Sequence, residues 1–79
     1  MEASGALAQL RGRLEDSFGR GLATMIIASA SNAADVSTIG IDATGFVRLA
    51  EKVSADQRVV DMWGTAGASD ALAQWRQLV

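Results

Sequence analysis

An uncharged run, Gly21 to Ala34, lies between Arg20 and Asp35 and constrains the fold more than any other part of the chain. A helix that crosses a bilayer needs about 20 consecutive apolar residues. This run is shorter than that and includes the polar residue Asn32. We therefore expect no membrane span, and the run must be a buried helix or a buried strand.

The spacing within this run favours a helix over a strand. Residues that lie on one side of a helix recur at i, i+3, i+4, i+7, i+8 and i+11. This spacing is found at Leu22, Met25, Ile26, Ser29, Ala30 and Ala33. Alanine, frequent here, leads the helix scale and is depleted in strands. The alternative is a hairpin at about residues 24–42, because residues 24–27 are rich in β-branched side chains and "VSTIGID" has strand composition.

The N-terminal segment has the clearest helical pattern. One stripe at helical spacing contains Leu7, Leu10, Leu14 and Phe18, and continues through Leu22 and Met25. Gly19 and Gly21 predict a break or kink within it, since each costs about 1 kcal/mol relative to alanine inside a helix. Three glycines seven residues apart, Gly5, Gly12 and Gly19, would share a face opposite the leucines. They permit a close helix–helix contact, although eight glycines in 79 residues also produce such spacing by chance.

The C-terminal half predicts further short helices. Asp42 or Thr44 can cap a helix whose apolar face is Phe46, Leu49, Ala50 and Val53. We expect a break near Ser54, because "SADQ" is a capping box. Gly64 suits the end of the next helix, and a turn through Ser69 would precede the last one.

These segments predict a mostly α fold, a compact bundle of four to five short helices in one small domain, residues 1–79. The alternative is an α+β order, α–β–β–α–α, with the hairpin at about residues 24–42. The helical interpretation predicts this core: Leu7, Leu10, Leu14, Phe18, Leu22, Met25, Phe46, Leu49, Val53, Val60, Trp63, Leu72, Trp75 and Leu78.

The composition disfavours catalysis. Histidine and cysteine are absent, which removes the most common general base, the thiolate nucleophile and the usual zinc ligands. The adjacent carboxylates Glu15 and Asp16 point to different sides of a helix, so they do not form a dyad. We therefore expect a cytoplasmic protein that is not an enzyme and has no cofactor or metal site.

A small DNA-binding regulator is the alternative function. The segments from Phe46 to Val79 resemble the order of a helix-turn-helix motif, but the predicted turn is short and neither candidate reading helix is basic. The net charge is −2, with seven basic and nine acidic residues. Because phosphate neutralisation supplies most non-specific DNA affinity, nucleic acid is not the favoured partner.

The leading function is therefore a non-catalytic protein–protein interaction or homo-oligomerisation module with a regulatory role. Its predicted partner is either a second copy of the same chain, in a homodimer, or another protein. A chain of this length buries only about 60% of the surface that its unfolded form exposes. Apolar residues off the main stripes, together with the two tryptophans, form the candidate interface: Ile27, Val47, Val59, Met62, Trp63 and Trp75.

Overall fold

The computed structural model describes all residues from Met1 to Val79 and contains three helices: α1 (Ala3–Ala34), α2 (Ala43–Ala55) and α3 (Gln57–Arg76). The prediction of a mostly α fold is confirmed. The hairpin alternative is wrong, because residues 24–34 continue α1 and residues 36–42 form a loop without strands.

The predicted count of four to five helices is not matched, because two glycines bend helices instead of ending them. Gly19 (φ 80°, ψ 165°) bends α1, and Gly64 (φ 77°, ψ 164°) bends α3. L-residues with a side chain rarely adopt these dihedral angles. Residues 65–69, predicted as a turn that ends at Ser69, are helical.

The bend at Gly19 changes which face of α1 is buried. Before it, the buried side chains follow the leucine stripe that the sequence predicts. After it, Leu22 and Met25 do not continue that stripe into the core. The buried side chains of this half are instead Ala23, Ile26, Ile27, Ala30 and Ala34. Met25 is therefore exposed, which corrects its assignment to the core.

The loop between α1 and α2 is closed by local hydrogen bonds. Asp35 adopts a left-handed conformation (φ 54°) at the end of α1, and the Ser31 hydroxyl donates to the carbonyl of Val36. The Asp42 carboxylate accepts a hydrogen bond from the Gly45 N–H at 2.7 Å, so it is the predicted N-cap of α2. These bonds fix the turn that reverses the chain direction.

The break between α2 and α3 lies two residues beyond the predicted position. Ser54 remains within α2, where its hydroxyl donates to the Glu51 carbonyl at 2.9 Å. Asp56 is extended (φ −63°, ψ 132°), and its carboxylate accepts from the Arg58 N–H at 2.8 Å. Asp56, not Ser54, therefore caps α3.

Helix α2 packs against both α1 and α3, and the core lies where the three helices meet. The largest fully buried side chains are Leu10, Leu14, Ile26, Phe46, Leu49, Val53 and Val59. Most residues predicted for the core lie in it or pack against it, with Met25 as the exception. The molecule measures 29 × 23 × 20 Å.

Candidate protein-binding surfaces

The exposed large apolar side chains divide into two kinds. Met1, Ile39 and Val79 lie at the termini or in the loop between α1 and α2, where exposure is ordinary. Met25 and Met62 lie on α1 and α3, with 59% and 55% of their surface exposed. Met25 and Met62 are therefore the only exposed large apolar side chains that lie within a helix.

Two side-chain contacts show how α3 runs beside α1. The Nη2 atom of Arg58 donates to the Ser29 hydroxyl at 3.3 Å. Five residues further along α3, the indole Nε1 of Trp63 donates to the Ser17 hydroxyl at 2.9 Å. The residue number of the contact on α1 decreases as the residue number on α3 increases. The first part of α3 therefore runs antiparallel to the middle of α1.

The two methionines lie on the two helices that these contacts join. Met25 lies one helical turn before Ser29, and Met62 lies one turn after Arg58. Residues four apart in a helix share a face, so Met25 lies on the face of α1 that carries Ser29, and Met62 lies on the face of α3 that carries Arg58. Leu22, half-buried and one turn before Met25, lies on the same face of α1 as Met25. We call Leu22, Met25 and Met62 the methionine surface.

An aromatic cluster links the N-terminal half of α1 to α3. Trp63 lies 6.1 Å, centroid to centroid, from both Phe18 and Trp75. The guanidinium carbon of Arg13 lies 5.1 Å from the Trp63 ring centroid and 5.9 Å from that of Trp75. Arg13 Nη1 also donates to Gln74 Oε1 at 2.8 Å. Both tryptophans therefore take part in contacts within the chain.

Beside this cluster, an open groove of about 430 Å³ lies between the first half of α1 and the end of α3. We call it the α1–α3 groove. Its lining combines amide, charged and apolar side chains: Gln9, Gly12, Arg13, Asp16, Gln74, Trp75 and Leu78.

The six residues of the predicted interface do not form one surface. Ile27, Val59 and Trp75 are buried in the core, 0–3% exposed, so they are not available for an intermolecular contact in this fold. Val47 is half-buried in a separate shallow depression beside Val79. Trp63 is half-buried in the aromatic cluster, and Met62 is exposed.

The bend at Gly19 explains the burial of Ile27 and the exposure of Met25. The sequence pattern, taken as one continuous stripe, assigns Met25 to the core and Ile27 to the surface. The structure exchanges these roles after the bend. The "GRG" stretch signals the bend, but it does not give the direction in which the following helix turns.

Four of the nine Asp and Glu side chains have partners within the chain. Asp56 forms an ion pair with Arg58 at 2.8 Å, and Glu51 forms one with Arg76 at 3.0 Å. The side-chain hydrogen bond from Arg58 lowers the pKa of Asp56 below its ordinary value, against the opposing effect of burial. The same bond raises the pKa of Arg58. These groups stabilise the break between α2 and α3.

The arginines likewise have partners on several elements. Arg58 and Arg76 are ion-paired, and Arg48 Nη2 donates to the Ala34 carbonyl at 2.6 Å at the end of α1. Arg13 lies on the two tryptophans. These four arginines therefore take part in contacts within the chain.

None of the three helices has a stretch of sufficient length and apolarity to cross a membrane. Comparison with known proteins finds no matching protein-family model, no matching curated protein and no matching solved structure. A functional interpretation therefore depends on the two surfaces described above.

Proposed function

We propose that this protein is a non-catalytic module that acts by binding protein, either a second copy of itself or a different protein, through the methionine surface. The observation that carries this proposal is the exposure of Met25 and Met62, each of which lies one turn from a residue of the Ser29–Arg58 contact between α1 and α3.

The physical reason is the free energy that these side chains release on burial. Burying a methionine side chain fully is worth about 1.5–3 kcal/mol relative to leaving it in water. Methionine is unbranched and polarizable, so it adapts to apolar partners of different shapes. A partner that covers Met25 and Met62 also covers the exposed edge of Leu22.

The shape of this surface suits a helical partner. Met25 and Leu22 lie on the rigid second half of α1, and Met62 lies on the first half of α3. Amphipathic helices bind partners through apolar residues spaced i, i+3, i+4 and i+7, and such an apolar face can cover these side chains. A helix from a different protein or from a second copy meets the same requirement.

The methionine methyl groups provide the test. In NMR spectra of protein labelled with ¹³C at the methionine methyls, we expect Met25 and Met62 to shift as a partner binds, with Met1 as the internal reference. Self-association is followed in a dilution series. Binding to a different protein is represented by a synthetic amphipathic helix of leucine and lysine, with a scrambled peptide of the same composition as its control.

Paired variants make the test specific. Met25→Gln with Met62→Gln should abolish binding at this surface, while Ile39→Gln, which changes the most exposed large apolar side chain elsewhere, should leave it intact. The proposal is wrong if Met25 and Met62 respond neither to dilution nor to the amphipathic peptide, or respond equally to the scrambled peptide.

A further inference from the structure

Arg13 and Asp16 carry opposite charges in the α1–α3 groove but form no ion pair with each other. They lie one turn apart on α1 and both line the groove. Residues at this spacing readily form ion pairs, yet these two do not. Arg13 instead lies against Trp63 and Trp75 and donates to Gln74.

Both groups keep their capacity for an external partner. A guanidinium has five N–H donors, and Arg13 uses one of them, toward Gln74. The Asp16 carboxylate is exposed and accepts no hydrogen bond from the chain. The aromatic rings hold the guanidinium in place, so a partner carboxylate meets an arginine that has already lost much of its conformational freedom.

The groove also allows a close approach of backbone. A Cβ atom added at Gly12 would meet no atom within 4 Å, so the space beside this glycine is open. Leu78, which is half-buried, supplies an apolar side chain to the same groove. A second helix can therefore approach α1 closely at Gly12 and contact Leu78 as it does so.

We infer that the α1–α3 groove is a two-fold interface between two copies of this chain, in which Arg13 of each protomer pairs with the partner's Asp16. In a two-fold interface, contacts occur reciprocally: residue i contacts residue j, and j contacts i. Unlike charges one turn apart on the same helix satisfy this rule, because an antiparallel copy presents the opposite charge to each. The inference goes beyond the proposed function, because it assigns a second copy of the chain to a surface separate from the methionines.

The first experiment measures mass by light scattering over a dilution series. We expect twice the monomer mass of 8.2 kDa at high concentration, and dissociation on dilution. Asp16→Lys places like charges opposite each other twice and should weaken the dimer by roughly tenfold or more. Asp70→Lys is the matched control, since Asp70 is exposed on α3 outside the groove and the substitution changes the net charge equally. It should leave the dissociation constant unchanged.

Charge exchange between two chains tests the pairing itself. Asp16→Lys and Arg13→Asp should each associate poorly alone, but a mixture of the two should form a heterodimer, because both intermolecular pairs are then of opposite sign. Circular dichroism establishes that each variant is folded before mixing. If Arg13→Asp does not fold, the comparison of Asp16→Lys with Asp70→Lys decides the question.

The outcomes separate this inference from the proposed function. If the protein is monomeric at about 1 mM, a concentration that would reveal even weak association, the inferred dimer is wrong. Binding at the methionine surface is then tested separately with the amphipathic peptide. A dimer weakened by Met25→Gln with Met62→Gln, but not by Asp16→Lys, overturns the groove interface and supports the proposed function. Weakening by Asp16→Lys alone supports the groove.

Discussion

Arg13 lies against the face of Trp63, with 5.1 Å between its guanidinium carbon and the centroid of the ring. These residues are fifty positions apart in the chain, and their contact joins the first half of α1 to α3. Trp63 adds a hydrogen bond from its indole N–H to the Ser17 hydroxyl. The two contacts hold α3 against one face of α1, at positions one turn apart just before the bend at Gly19.

Arg13→Ala should therefore destabilise the fold. A cation–π contact at a partly exposed site is worth about 0.5–1 kcal/mol, and the hydrogen bond to Gln74 about as much. We expect the free energy of unfolding in urea, followed by tryptophan fluorescence at low protein concentration, to fall by about 1–2 kcal/mol. Arg20→Ala removes an exposed arginine from the same helix and should change it by less than about 0.5 kcal/mol. Equal effects of the two variants would contradict the role of the aromatic contact.

Gly19 and Gly21 should respond to alanine in opposite directions. Gly19 has φ 80° and ψ 165°, dihedral angles that are essentially restricted to glycine, so Gly19→Ala should cost about 1–3 kcal/mol. Gly21 is helical with open space beside it, and Gly21→Ala should stabilise the fold by up to about 1 kcal/mol. Urea denaturation of both variants measures the difference. Stabilisation by Gly19→Ala would show that α1 is straight.

The sequence predicts much of the fold because most segments carry apolar residues at helical spacing. Leu7, Leu10 and Leu14 lie in the core as predicted, and Asp42 caps α2. The number of helices was wrong because a glycine at positive φ can either end a helix or bend it. The difference depends on whether the next segment finds a core to pack against, which local sequence does not specify.

The candidate interface was harder to predict, because it depends on the rotation of each helix. One residue corresponds to 100° of rotation, so a small error at a bend or break moves a side chain from surface to core. The buried positions of Ile27 and Val59 follow the bend at Gly19 and the break at Asp56. The Arg13 contact joins distant residues, and no local pattern indicates it.

Helix rotation after the bend gives a direct prediction for neighbouring residues. Ile26 is fully buried and Met25 is 59% exposed. Ile26→Ala should lower the free energy of unfolding by about 2–5 kcal/mol, because it opens a cavity in the core. Met25→Ala should change it by less than about 0.5 kcal/mol. Both variants are measured by urea denaturation of the monomer. A large loss of unfolding free energy for Met25→Ala, with a small loss for Ile26→Ala, would show that Met25 lies in the core.

The ion pair at the start of α3 gives a prediction about pH. The hydrogen bond from Arg58 lowers the pKa of folded Asp56 below its unfolded value of about 3.9. The stability that this charge contributes is therefore fully present above the unfolded pKa and is lost as the pH falls through the lower, folded pKa. Asp56→Asn keeps a capping side chain and removes the charge, so the wild type should exceed this variant in stability at pH 7, with the difference shrinking below about pH 4.

Asp56→Ala separates the cap from the charge. It removes both, so at pH 7 it should lose about 1 kcal/mol more than Asp56→Asn, the usual value of an N-cap. Because the hydrogen bond from the Arg58 N–H to the side chain at position 56 does not need a charge, the difference between Asn and Ala should persist at low pH. Urea denaturation at several pH values between 7 and 2.5 measures both differences. A wild-type advantage over Asp56→Asn that is unchanged by acid would show that the charge of Asp56 does not stabilise the break between α2 and α3.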